Sequence, residues 1–357
     1  MREKYSTVVL REKWNTRFLQ ISNPLLAIVI AFLMGGLLVI IAGESPLDTY
    51  ATLLKGSFGS STAIRNTIRY SIPIVLLAYS FSICNRCGYF NISHESQLYS
   101  AVLSMSIVSE VTRGFPSWLR LTLMMMAASV AGAIACMIPA LAKFKLGVSE
   151  VVVGVMMNYL MAYLTKHMIA FSFIAEEGSS SIMSKTIPES IGFTVILIST
   201  LLIVMVYQFV LKRTIPGYRL TVVGKNAEFS TACGLPSIKI LLQAAAVGGF
   251  LTGICAVGEM LGYYHIIYAD FAADMGFNGM TAALLGADGA VGMCLGAVLL
   301  GALRSGSVLM TVVSNVPAEL VDCVQGFVMF FATLNLLRPE RKKKWKKHGD
   351  IKLVEGK

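Results

Sequence analysis

The sequence predicts an all-α integral membrane protein of about ten transmembrane or partly re-entrant helices, and three observations predict it. First, 55% of its residues are hydrophobic and only 14% charged, with a mean hydropathy of +0.69, whereas soluble domains are about one quarter charged. Second, apolar runs of about 20 residues, enough to cross a hydrocarbon core about 30 Å thick, recur along the chain. Third, the basic residues fall into separated clusters flanking those runs. They stand at the amino end (Arg2, Lys4, Arg11, Lys13, Arg17), in 212–239 (Lys212, Arg213, Arg219, Lys225, Lys239) and in the tail RPERKKKWKKHGDIK. A formal charge of +10 raises the question of nucleic acid. This distribution is instead that of the positive-inside bias, so no nucleic-acid partner is expected.

Taken in order, residues 1–23 form a basic cytoplasmic N-terminus, 24–337 the transmembrane region and 338–357 a basic cytoplasmic tail placed to touch anionic lipid. The run 24–42 is read as a retained first helix, because its apolar core is too long for a signal peptide and 43–66 shows no clear cleavage pattern. Further spans are expected at 67–84, 98–110, 119–142, 150–172, 191–211, 239–262, 279–303 and 317–337, with a short additional piece at 305–316. Both termini inside require an even number, hence ten. Alternation then places 43–66, 111–118, 173–189 and 263–277 outside, where Glu44, Asp48, Glu176, Glu177, Glu189, Asp270 and Asp274 lie.

Two regions are not plain spans. Residues 98–110 are too short to cross unaided and follow the polar stretch CGYFNISHESQ, while 276–292, GFNGMTAALLGADGAVG, is interrupted by glycines. Irregular backbone at membrane depth is tolerated where protein or a wet cavity satisfies it. Gly88-Tyr89-Phe90-Asn91 and Gly276-Phe277-Asn278 also match faintly. Paired broken segments are the pattern of a two-half pseudo-repeat, although chance supplies so short a match in a chain with 31 glycines. Polar groups in such segments must face a bundle interior or a pathway. Asn91, Glu95, Gln97 and Asn278, with Asn158 on the fifth span, are therefore the pathway residues, joined by Phe277 from its place in the second broken segment; bracing a broken helix is the equal alternative for Asn91 and Glu95.

The 212–239 loop contains one predicted short helix, about 227–233. Asn226 caps it, Glu228 sits in its first turn, Gly234 suits the position after it, and Pro236 stops continuation. Phe229 and Cys233 share a face. The GKN of this loop is not a phosphate loop, because Arg219 and Asn226 stand where that pattern needs Gly and Ser or Thr. Cys84, Cys87, Cys136, Cys233, Cys255, Cys294 and Cys323 lie mostly in apolar runs and are expected unpaired. The CxxC of Cys84 and Cys87 lacks a second pair, so no metal site is expected.

Four stretches, GYFNISHESQ, LGVSEVVVGVMMNYL, VVGKNAEFSTACGLP and MGFNGMTAALLG, resemble in this order the permease subunits of ATP-binding-cassette importers for nucleosides and simple sugars, within the branched-chain amino acid and ribose permease superfamily. The resemblance is strongest to the general nucleoside permeases and runs from about Gly43 to Leu337. In the first stretch Gly88, Phe90, Asn91, Ile92, Glu95 and Gln97 match, whereas Ser93, His94 and Ser96 depart. The second matches at Gly147, Val148, Glu150, Val151, Met157, Asn158 and Tyr159. The third matches at Gly224, Lys225, Asn226, Ala232 and Gly234, with Ala227 in place of proline. The fourth matches at Gly276, Phe277, Gly279 and Ala282 to Gly286, with Asn278 in place of aspartate. After it, Gly289-Ala290-Val291-Gly292 replaces Asn-Pro-x-Gly.

The resemblance implies a non-catalytic subunit of a prokaryotic cytoplasmic-membrane importer. Its helix at Gly224, Lys225, Asn226, Glu228, Ala232 and Gly234 would couple to a separate ATPase, which alone binds ATP and Mg. The implied partners are that ATPase, a second permease (identical or sister chain), an extracytoplasmic binding protein and membrane lipid. A ribose-like sugar importer is the alternative, followed by an ion-coupled secondary transporter using Glu95 or Glu259. An enzyme is disfavoured by the lack of HExxH and GxSxG patterns.

Overall fold

The computed structural model describes residues 26, 28–176, 182–286, 289–313 and 319–333. The basic segments 1–23 and 338–357 lie outside them. The described residues form thirteen α-helices: α1 (Ile28–Ile41), α2 (Pro46–Phe58), α3 (Ser61–Arg86), α4 (His94–Val111), α5 (Ser117–Leu146), α6 (Glu150–Phe171), α7 (Phe193–Arg213), α8 (Ile215–Lys225), α9 (Ala227–Ala232), α10 (Ser237–Glu259), α11 (Met275–Leu285), α12 (Ala290–Val313) and α13 (Glu319–Thr333). A π-helical turn, Met260–Tyr264, extends α10.

Five of these, α3, α5, α7, α12 and α10 with its π turn, are long and apolar enough to cross a membrane. They become six if α1 and α2, bent by 117°, make one broken span. The ten predicted spans are thus not all recovered by length and hydropathy. His94, Glu95 and Gln97 dilute α4, and Asn158, Lys166 and His167 dilute α6.

Several boundaries differ from expectation for identifiable reasons. Within 43–66, expected as a loop, Ser45 caps α2 by accepting from Asp48 N, with Pro46 in the first turn. α3 begins at Ser61, six residues before the expected start, because Ser60 accepts from Ala63 N and the helix carries Arg65 and Arg69 inside it. α4 takes in the polar residues from His94 onward and reaches 18 residues. The piece at 305–316 is no separate segment: α12 runs unbroken to Val313, and 314–316 lie outside the described residues. The 212–239 loop holds α8 as well as the expected short helix.

α3 is the centre of the bundle, with 83% of its most apolar stretch inside, whereas α7 has 17% inside and faces outward. Against α3 pack α10, α11 and α12, and α5 crosses α10 backbone to backbone. A β-carbon on Gly249 would stand 2.3 Å from Gly132 O, and one on Gly253 2.5 Å from Ser129 Cα. Small residues at a crossing let helices approach where lipid supplies no hydrophobic drive between them. This close pair of α5 and α10 and the buried α3 are the frame on which the polar segments are mounted.

Candidate functional site

The segment between α3 and α4 answers its polar sequence with internal hydrogen bonds. α3 stops at Cys87, and Gly88 turns the chain at φ +78°. Asn91, fully buried, then organises the turn: its Oδ1 accepts from Ser93 N (3.1 Å), Ser93 Oγ (2.8 Å) and Gln97 Nε2 (3.2 Å). Its Nδ2 lies 3.3 Å from His94 Nε2 and 3.5 Å from Cys136 Sγ. An amide NH2 can only donate, so His94 Nε2 accepts, and the ring is held as a neutral partner within 3.2 Å of Ser80 Oγ. Ser80 in turn donates to Gly248 O at 2.7 Å, tying the network to α10.

Asn158 reaches in from α6. It accepts from Ser96 N at 2.9 Å and donates to Ile92 O at 3.1 Å, satisfying backbone that a helix would otherwise have satisfied. Asn91, Gln97, Asn158 and His94 are therefore brought together as one buried brace at the start of α4. Glu95 points the other way, accepting from Asp274 N at 3.2 Å. Of the two predicted residues on α11, Asn278 lines a cavity, while Phe277 is partly exposed and outside that lining.

The second predicted group lies at the end of the bundle where α3 and α5 finish and α6 begins. α9 has the expected cap, Asn226 Oδ1 accepting from Phe229 N at 2.9 Å, and ends with Gly234 at φ +84°. Gly224, Lys225, Asn226, Glu228, Ala232 and Gly234 are all exposed. With them stand the outward side chains of Ile215, Tyr218 and Phe229, the last two aromatic, as are many of the anchors of protein interfaces.

The root of this pair of helices is clamped. A β-carbon on Gly224 would fall on the carbonyl oxygen of Arg86, so the end of α8 lies directly on the backbone that leads into the Asn91 turn. Lys143, from the last turn of α5, donates to Gly88 O at 2.7 Å and to Glu150 at 2.6 Å. Sequence motifs marked Gly88, Glu150 and Gly224 separately; their contact is visible only in three dimensions.

The third feature was not marked as a unit. A cavity of about 470 Å³ lies between α3, the π turn, the 265–274 loop and α12, with Leu77 and Leu300 among its walls. It sits by the far end of α10, about 33 Å from α9 for a helix of 23 residues. Tyr264, Tyr268, Glu259, Asp274 and Asn278 line it. Its loop holds three non-glycine residues at positive φ, His265, Asp270 and Asp274. Backbone of this kind gathers at ligand clamps, and π turns at functional sites. Beside it, Arg69 lies 3.9 Å from the Tyr263 ring centroid and 3.9 Å from Glu259. The density of Tyr and Asp in YYHIIYADFAAD was the available signal, but it read as an external loop because a π turn has no sequence signature of its own. Among the described residues no group of His, Cys, Asp and Glu is arranged to hold a metal.

Residues 63–333 match the family described as branched-chain amino acid transport system / permease component. The chain is 30% identical to a guanosine ABC transporter permease protein of Bacillus subtilis over 86% of its own length and 91% of that relative. It is 27% identical to a nucleoside ABC transporter permease protein of Lactococcus lactis, covering 90% and 93%. To a glucose ABC transporter permease protein of Haloferax volcanii it is 25% identical, covering 88% and 87%. No solved structure matches it significantly.

Proposed function

This chain belongs to the branched-chain amino acid transport system permease family, and we propose that it is the membrane-spanning subunit of an ATP-driven importer for nucleosides. ATP hydrolysis belongs to a separate subunit, which binds ATP and Mg; a binding protein delivers solute. Of the relatives compared, the two named for guanosine and nucleosides stand above the one named for glucose in identity, and this ordering favours a nucleoside over a simple sugar.

The observation that carries the coupling mechanism is the seat of Gly224 on Arg86. The exposed α8–α9 face receives the ATPase, and its displacement is passed through Gly224 to the α3–α4 turn. Asn91 and Asn158 hold that turn as a rigid body, so the start of α4 moves with it, and Glu95 carries the movement to the loop that borders the cavity. Ten membrane segments, counting α4, α6, α11 and α13, put α9 and both termini in the cytoplasm. The second permease is a sister or identical chain, and the basic tail contacts anionic lipid.

Uptake of radiolabelled guanosine, adenosine, uridine and ribose into vesicles holding this chain with its ATPase, second permease and binding protein tests the reading. ATP-dependent nucleoside accumulation is expected. Uptake of ribose alone would move the substrate to sugars. Accumulation without ATP that a protonophore abolishes would replace the whole scheme by a secondary transporter using Glu95 or Glu259.

A further inference from the structure

We infer that the cavity bounded by the π turn and the 265–274 loop is a solute subsite that takes an uncharged, hydroxylated aromatic compound, a nucleoside, and turns away its phosphorylated form. The inference rests on the nucleoside reading above and adds where and how the solute is held.

Size is the first argument. About 470 Å³ falls within the roughly 300–1,000 Å³ of small-molecule pockets. The wall chemistry is the second. Tyr264 and Tyr268 meet edge to face, centroids 5.3 Å apart, presenting an aromatic corner of the kind on which a base stacks.

Charge is the third, and it is the discriminating one. Asp270 is answered by Lys166 at 2.9 Å and Asp322 by Arg304 at 3.4 Å. Asp274 and Glu95 have no Lys or Arg within 4 Å among the described residues. Glu259 is more than nine-tenths buried and lines the cavity, yet its nearest cation, Arg69, stands at 3.9 Å, beyond hydrogen-bond distance. No described residue donates a hydrogen bond to it. A buried carboxyl group left short of donors offers its oxygens to ribose hydroxyls, and the exposed, cation-free Asp274 carboxylate in the same wall is a charged acceptor, whose hydrogen bonds are the strong ones. Asp274, the one lining carboxylate with no Lys or Arg within 4 Å among the described residues, repels a phosphate. Asn278, with donor and acceptor both, suits the edge of a base.

The test uses the purified permease–ATPase complex without binding protein. Radiolabelled guanosine should bind it, unlabelled guanosine should displace the label, and guanosine monophosphate should not. Asp274→Asn and Glu259→Gln should each weaken guanosine binding about tenfold or more, the worth of one charged hydrogen bond. Asp274 is exposed at the start of α11, so Asp274→Asn serves if Glu259→Gln, which strands Arg69, fails to assemble. An azido-guanosine photoprobe should label the peptide containing Tyr264 and Tyr268. Wild-type affinity in an assembled Asp274→Asn complex, or a photolabel mapping elsewhere, would overturn the assignment while nucleoside uptake in complete vesicles stood. Absence of any nucleoside uptake in those vesicles would instead overturn the reading beneath it, and this assignment with it.

Discussion

Asn91 shows how one side chain replaces a turn of helix. It occupies a place where the chain cannot be regular, and its amide oxygen collects donors from Ser93 and Gln97. Replacement by Ala strands those donors away from water, a penalty of about 1–3 kcal/mol. Asn91→Ala is therefore expected to lower the thermal stability of the detergent-solubilised complex and to reduce transport, with Asn158→Leu giving a similar loss through Ser96 N and Ile92 O. Unchanged melting by size-exclusion assay for both would show that the turn is held by something else. His94, which departs from the family pattern, is here an acceptor in the brace. His94→Gln keeps an acceptor and should retain transport, whereas His94→Leu should lose it.

At the scale of the element, the proposed coupling role of α8 and α9 can be tested separately from their folding. The Asn226 cap is worth about 0.5–2 kcal/mol to a helix, and α9 has only 6 residues. Asn226→Ala should fray it and weaken co-purification of the ATPase. Gly224 acts differently, since any side chain there must push α8 off Arg86. Gly224→Ala should leave ATPase association in place while lowering ATP-driven uptake by tenfold or more, read as hydrolysis that no longer moves solute. Equal losses of association and uptake would make Gly224 a folding residue only. Replacing 224–234 with a flexible linker should abolish both.

The whole molecule adds topology. The proposed arrangement of ten segments with α9 inside predicts that Cys233, exposed beside α9, reacts with a membrane-impermeant maleimide in inside-out vesicles and not in right-side-out ones. The experiment belongs in a Cys323→Ala background, because Cys323 is also exposed. Labelling from the opposite face would invert the orientation and remove α9 from the ATPase.

The sequence by itself determined the all-helical membrane class of fold, the places of the long apolar helices and the capped short helix that begins at Ala227. Each depends on local quantities: apolar length, charge placement, and a cap residue followed by a breaker. It also marked Asn91, Glu95, Gln97, Asn158, Gly224 and Asn278 as residues with a task. Only the tertiary structure decided what each of them touches. Asn91, Gln97 and Asn158 became a brace because α6 and α10 bring partners from distant parts of the chain, and periodicity carries no record of them. α2 and the full length of α3 escaped notice because their charged and amphipathic residues lower the hydropathy that marks a span. The cavity was illegible for the same reason at larger scale. Its walls come from α3, the π turn, the 265–274 loop and α12, and the charges that remain unanswered there depend on which carboxylates found a cation across space.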